Sequence, residues 1–153
     1  MEVKTIELDS TSRRIIEQLQ ADGRRSYATI AKAVGLSEAA VRQRVARLTE
    51  TGVIQIVAVS DPMQVGFKRS AQIGIKAEGD LEALAEKISK FSEAAYVVIC
   101  AGSFDLMVEV VCEDDEHLLS FLNQKIRNLP GVVSTETFMY LKIHKQTYSW
   151  GTR

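Results

Sequence analysis

Cysteine, proline, histidine and tryptophan are scarce in this chain, with two, two, two and one among 153 residues. Cys100 and Cys112 lie in apolar runs and share no Cys-x-x-Cys spacing. Neither a disulfide framework nor a thiolate metal site is expected, and both are read as buried free thiols. His117 and His144 have no carboxylate or cysteine at a telling spacing, so a surface or edge-strand role is expected of each, and no metal. The chain has no Gly-x-Ser-x-Gly, no phosphate-binding glycine loop and no paired acid and base, which argues against an enzyme. No apolar run approaches the ~20 residues of a membrane-spanning helix, and the acidic start lacks a basic-then-apolar leader. The chain is therefore expected to be soluble and cytoplasmic, with no cofactor and no membrane partner. A net charge of −1 does not suggest a nucleic-acid binder, but the distribution is uneven. Residues 1–69 hold 11 basic and 8 acidic side chains, and residues 70–153 hold 8 and 12. A basic first half beside an acidic second half fits a DNA-reading module joined to something else.

What the chain does contain is concentrated between Ser26 and Gly52. Tyr27, Ile30, Ala31 and Val34 recur at helical spacing behind a Ser26 cap. Gly35 follows where a helix would end in a left-handed residue, and Leu36 plugs the corner. Ser37 and Glu38 open a second helix in which Val41, Val45 and Leu48 share one face. Ala39, Gln43 and Ala46 point the opposite way, flanked by Arg42 and Arg47. Small residues let a backbone approach a groove, and Arg and Gln can read guanine and adenine edges. Ser37, Ala39, Arg42, Gln43 and Arg47 are the candidate contacts to double-stranded DNA. The competing reading is a helical hairpin with a solvated basic face. Arg44 lies at the edge of the buried face and is expected to pair with a carboxylate inside the domain. Upstream, Asp9 is a candidate N-cap for a first helix carrying Ile15, Ile16 and Leu19, and Arg24 and Arg25 follow Gly23 in a turn where a phosphate can be met. Val53 to Val59 is β-rich and reads as a wing or hinge.

Beyond Asp61-Pro62 and Gly66 the pattern changes. Ser70 to Ile75 alternates as a strand. Asp80 caps a helix with Leu81, Leu84, Ala85, Ile88 and Phe91 on its apolar side. Ala95 to Ala101 is a continuous apolar run, read as a buried strand, and Phe104 to Cys112 is the next. Asp114, Asp115 and Glu116 open a second helix, where carboxylates favour the helix dipole, and Pro130-Gly131 ends it. Val132 to Lys145 reads as a long last strand with Phe138, Tyr140 and Ile143 on alternating positions. The order βαββαβ is ferredoxin-like: two helices on one face of a four-stranded antiparallel sheet. The other face needs cover, so pairing through it is expected. The turn from Cys100 to Asp105 places a glycine before a carboxylate. Its free N–H groups and its acid together suit a free amino acid, although the residues alone favour a plain hairpin turn.

Taken together, Leu8-Asp9, Asp22-Gly23-Arg24, Gly35-Leu36-Ser37, Arg44-Val45, Gly52-Val53-Ile54, Gly102-x-Phe104-Asp105 and Leu129-Pro130-Gly131-Val132 resemble the Lrp/AsnC (feast/famine) transcriptional regulators, over roughly residues 6–148. The resemblance implies an α+β chain in three parts. They are a winged helix-turn-helix domain at 1–54, a hinge at 55–66, and a ferredoxin-like βαββαβ (RAM) module at 67–153 that senses a ligand and oligomerises. It further implies homodimers that assemble to octamers or larger. An amino-acid effector is implied at a site including Ile99, Ala101, Gly102, Ser103, Phe104, Asp105, Phe138 and Tyr140. The alternative is a metabolite-binding subunit that acts on a protein partner without touching DNA; the arginine-bearing helix argues against it.

Overall fold

A computed structural model describes residues 7–148, 151 and 152. The chain divides into two compact units, residues 1–59 with 145–153 and residues 60–144. In the first, α1 (Ser10–Ala21), α2 (Tyr27–Val34) and α3 (Glu38–Glu50) each start at the cap that the sequence offers. Asp9, Ser26 and Ser37 accept hydrogen bonds from the N–H groups of Ser12, Thr29 and Ala40, which satisfies one otherwise orphaned donor at each helix start. Gly35 ends α2 at φ 76°, a left-handed geometry that costs glycine little. Its N–H and that of Leu36 both reach the Ala31 carbonyl, so the chain turns sharply into α3. Ile15, Leu19, Ile30, Ala31, Val34, Val41 and Val45 form the core of this unit. A fully buried isoleucine contributes about 1.5–3 kcal/mol relative to an exposed one. Val53 to Val59 forms no strand, and Ile56, Val57 and Val59 are exposed, so the described part of this unit is a helix-turn-helix without a paired wing.

The second unit opens on a short 3₁₀ turn, Pro62–Val65. Then come β1 (Arg69–Ala77), α4 (Leu81–Ile88), β2 (Ala94–Ile99), β3 (Leu106–Cys112), α5 (Asp115–Ser120) and β4 (Val132–Met139). The strands pair antiparallel in the order β2-β3-β1-β4, the arrangement expected of βαββαβ. Ala71, Ile73 and Ile75 of β1 and Leu106, Val108, Val110 and Cys112 of β3 face the helices. They pack with Leu84, Ile88, Leu118, Phe121 and Ile126.

Several sequence expectations shift. The run from Ala95 to Ala101 is not wholly buried. β2 is an edge strand, and Tyr96 is exposed on the helix-free side. The last strand stops at Met139, opposite Ala71, rather than at Lys145. Tyr140 makes the final ladder bond, from its N–H to the Ser70 carbonyl. Phe104 and Asp105 fall before β3, in the turn. Phe91 lies beyond the end of α4 but still packs on the core, edge-on to Phe121 at 5.8 Å. The helix opened by Asp114 passes into a π turn at Phe121–Ile126. Cys112 is buried and Cys100 is only partly so. Burial, with the nearby Glu93 and Asp114 charges, pushes the Cys112 thiol up to about 11, which keeps it protonated and unreactive.

Candidate nucleic-acid interface and sensing turn

α3 presents two distinct faces. Val41, Val45 and Leu48 are buried, while Ser37, Ala39, Arg42, Gln43, Ala46 and Arg47 are exposed. The candidate DNA contacts therefore lie on one surface. Two of them already have a local task. Ser37 caps the helix, and Arg42 pairs with Glu38 one turn back at 2.9 Å while its guanidinium lies 5.1 Å from the Tyr27 ring centre. An exposed i,i+4 pair of this kind is worth only about 0.3–0.5 kcal/mol, so a phosphate or a base edge can compete for the arginine. Gln43 and Arg47 border a cleft of about 330 Å³.

At the base of that cleft Arg44 bonds Asp9 at 2.6 Å and the Ser12 hydroxyl at 3.1 Å. This is the inward pairing expected of Arg44, and it fastens α3 to the start of α1. The Ser12 N–H and then the Arg44 guanidinium hold the Asp9 carboxyl at about 2, below its ordinary 3.8. Arg14, on which the sequence carried no expectation, and Arg25, expected in a turn where a phosphate can be met, are also engaged. Arg14 donates to the Ala33 carbonyl at the end of α2, and Arg25 donates to Gln18. Helical periodicity marks which side of a helix an arginine such as Arg14 leaves from, but not the carbonyl of a neighbouring helix that it reaches.

In the second unit the turn from Cys100 to Asp105 is fixed by strand ends. The Cys100 N–H donates to the Asp105 carbonyl at 2.8 Å, and the Asp105 N–H donates to the Ile75 carbonyl at 2.9 Å. The Asp105 carboxylate accepts the Ala77 N–H at 2.8 Å, where the β1–β4 register slips. Ala101, Gly102 and Ser103 at the tip are exposed. A Cβ at Gly102 would meet nothing, so packing does not require glycine there.

Phe104 is brought edge-on to Phe138, with ring centres 6.1 Å apart. Tyr140 donates its hydroxyl to the Gln72 side chain at 2.9 Å. Burial and then the Glu109 carboxylate push the Tyr140 phenol up. Phe104, Phe138 and Tyr140 thus share the helix-free face of the sheet. Ile99 does not join them. It pairs with Leu106, a helix-side position, and lies on the opposite face.

Sequence reading missed a cluster behind the sheet. Glu93, nearly buried, accepts from Lys125 Nζ at 2.6 Å and faces His117 Nε2 at 3.2 Å. His117 Nδ1 accepts the Glu113 N–H, so the neutral ring carries its proton on Nε2, aimed at Glu93. His117 is therefore a half-buried partner of Glu93 rather than a surface residue. Burial raises the Glu93 carboxyl, but hydrogen bonds from Lys125, its own N–H and His117 outweigh this and hold it at about 2. Residues 93, 117 and 125 are too far apart in sequence for spacing to announce them. Asp114 caps α5 as expected, and Asp115 pairs with Arg69 at 2.8 Å. Among the described residues no group of His, Cys, Asp or Glu is placed to hold a metal ion, and no helix is long and apolar enough to cross a membrane.

A capped helix pair with an exposed arginine-bearing second helix, on a chain that also carries a βαββαβ module, defines a DNA-binding regulator with an attached α+β domain. Comparison with known proteins narrows the class. Residues 8–49 match an AsnC-type helix-turn-helix domain, and residues 67–153 match a C-terminal dimeric alpha+beta barrel domain of the same family. The HTH-type transcriptional regulator FL11 of Pyrococcus abyssi is 36% identical over 144 residues, covering 93% of this chain and 95% of the relative. The proline dehydrogenase transcriptional activator of Rhizobium radiobacter is 32% identical over 149 residues, covering 94% and 96%. AsnC of E. coli superposes with a TM-score of 0.81 at 25% identity, covering 94% and 99%. A transcriptional regulator of Neisseria meningitidis, solved as its L-Met complex, also gives 0.81 but at 22% identity, covering 96% and 97%, and so speaks for the fold. The chain belongs to the Lrp/AsnC family of transcriptional regulators.

Proposed function

We propose that this regulator reads operator DNA through Arg42, Gln43 and Arg47, pairs with a second copy through the helix-free face of its sheet, and answers to a free amino acid at the 100–105 turn. The observation that carries the DNA reading is the outward face of α3, where those three side chains are exposed beside the small Ala39 and Ala46. Pairing is supported by the exposed Tyr96 and Phe138 on the sheet and by the match to a dimeric barrel domain. The amino-acid reading is supported by the turn's chemistry. The tip is exposed, and a carboxylate accepts more than one hydrogen bond, so Asp105 can hold the Ala77 N–H and still receive an ammonium. The methionine complex of the Neisseria protein lends the chemical class. Effector binding would act by linkage, favouring one assembly or domain arrangement and so changing which DNA-binding geometry is populated.

Two measurements test this. Thermal-shift screening against the twenty amino acids should raise the melting temperature for at least one, since a ligand that binds the native state stabilises it by mass action. Electrophoretic shifts on DNA selected from a random pool should show binding that weakens steeply with salt. Binding to no sequence at low salt would overturn the DNA reading. No stabilisation by any of the twenty would overturn the amino-acid reading and leave the DNA reading standing.

A further inference from the structure

Gly74 is buried although it carries no side chain and points away from the helices, being flanked on β1 by Ile73 and Ile75 of the core. Phe104 covers it. A Cβ at position 74 would come within 2.7 Å of two Phe104 ring carbons and 2.8 Å of a third. Contacts under 3.0 Å force something to move, and here that is a whole aromatic ring rather than the tip of a flexible chain. Gly74 has no left-handed φ, so the reason for glycine at this position is space, not backbone conformation. From its seat the Phe104 ring continues to Phe138 at 6.1 Å. Phe138 pairs with Gln72, whose side chain takes the Tyr140 hydroxyl. One residue further along, Asp105 is tied to the Ile75 carbonyl and the Ala77 N–H. The backbone of the turn and the aromatic surface of the sheet are thus joined through a single side chain lodged over a single glycine.

We propose that Gly74 is a seat holding Phe104 on the pairing face of the sheet, so that the 100–105 turn and the surface a second copy covers are one mechanical part. This rests on the reading that copies of the chain pair through that face. A displacement of the turn backbone carries the Phe104 ring across the seat and alters the surface offered to the partner copy. The same coupling runs in reverse: a partner copy pressed on the ring holds the turn in place. Effector sensing and assembly then need no longer path than one residue.

The test is a double-mutant cycle on the full chain, with the dimer dissociation constant read by sedimentation and folding followed by circular dichroism. Gly74→Ala should raise that constant about tenfold or more in the Phe104 background, as overpacking moves the ring. In the Phe104→Ala background, where the new methyl meets no ring, it should change little. Ile73→Val, on the helix side, should lower the melting temperature without weakening pairing, which separates loss of the seat from a general loss of stability. Should Gly74→Ala fail to fold, Phe104→Leu gives the same answer, because it removes the ring and asks for no new room. Pairing unchanged in Gly74→Ala or Phe104→Leu overturns the inference, as does an equal cost of Gly74→Ala in both backgrounds. A wild-type chain that stays monomeric at high micromolar concentration overturns the pairing reading itself, and the seat with it.

Discussion

Two arginines of α3, two positions apart, have opposite surroundings. Arg42 is exposed and held by an intrahelical pair with Glu38 and by the Tyr27 ring; Arg44 reaches across to Asp9 and Ser12. Arg42→Ala should weaken operator binding by about 1–3 kcal/mol if the side chain reads a base, and the melting temperature should barely move. Arg44→Ala should lower the melting temperature first, with DNA binding falling only as the helices loosen. A thermally normal Arg44→Ala protein with selectively lost binding would place Arg44 on the DNA instead. Both fates were legible in the sequence, because a 100° period sorts side chains onto faces. The Asp9 partner was legible only as a cap, since nothing in spacing connects residues 9 and 44. Asp105 is the harder residue. Its carboxylate has a structural task, accepting the Ala77 N–H, that no turn pattern in the sequence announces. Asp105→Ala should therefore cost about 1–3 kcal/mol of stability by leaving a partly buried donor unmet. Asp105→Asn keeps an acceptor and removes the charge, so it should retain most of that stability. If the carboxylate receives an effector's ammonium, Asp105→Asn should also weaken amino-acid binding about tenfold or more, in proportion to a lost charge-assisted bond of about 1.5–3 kcal/mol. Calorimetry showing wild-type affinity in Asp105→Asn would make the acid structural alone.

At the scale of elements, what the sequence displays is where structure starts. Among the described residues each of the five α-helices begins after an Asp or Ser that accepts an N–H from its first turn, and such residues are visible in sequence because the cap is local chemistry. Where elements stop depends on neighbours. β4 stops at Met139, opposite Ala71, with the Tyr140 N–H still reaching the Ser70 carbonyl, and β2 is half exposed because it lies at the sheet edge with helices on one side only. The π turn after α5 has no local signature either. Lys125 within it lies 5.8 Å from the Phe121 ring centre and 5.4 Å from that of Phe91, while bonded to Glu93. That junction has a predictable acid response. The Glu93 carboxyl is held near 2, below its ordinary 4.5, so it binds a proton less readily folded than unfolded. Its stabilisation is present above about pH 4.5 and is lost as the pH falls towards 2. Glu93→Gln should flatten this part of the acid-unfolding curve and lower the melting temperature at neutral pH, where Lys125 loses its counter-ion. An acid limb unchanged in Glu93→Gln would assign the response to other carboxylates, with Asp9 the next in line.

At the scale of the whole molecule the chain joins a helical unit with its own core to a sheet unit with another. The sheet unit is the one left with an uncovered face. One side of its β1 and β3 carries seven buried residues. The other carries Gln72, Glu109 and Met107 along the strands, with Tyr96 and Phe138 exposed beside them. A sheet that exposes aromatic residues across one face is incompletely stabilised as a monomer, and a second copy of the same face is a self-complementary cover that closes without leaving an open end. Residues 60–144 alone, which form one compact unit, should therefore fold and remain dimeric or larger without the DNA-reading helices. Residues 145–153 belong with the helical unit, so their removal should not weaken pairing. Light scattering on this fragment at tens of micromolar is the direct check. A folded, stable monomer would show that the sheet face is content in water, and would move the source of assembly to the exposed Ile56, Val57 and Val59 before the sheet. A dimer of the fragment whose dissociation constant matches that of the full chain would show instead that pairing is complete within the sheet unit. The helices of the first unit would then be free to answer to DNA geometry alone.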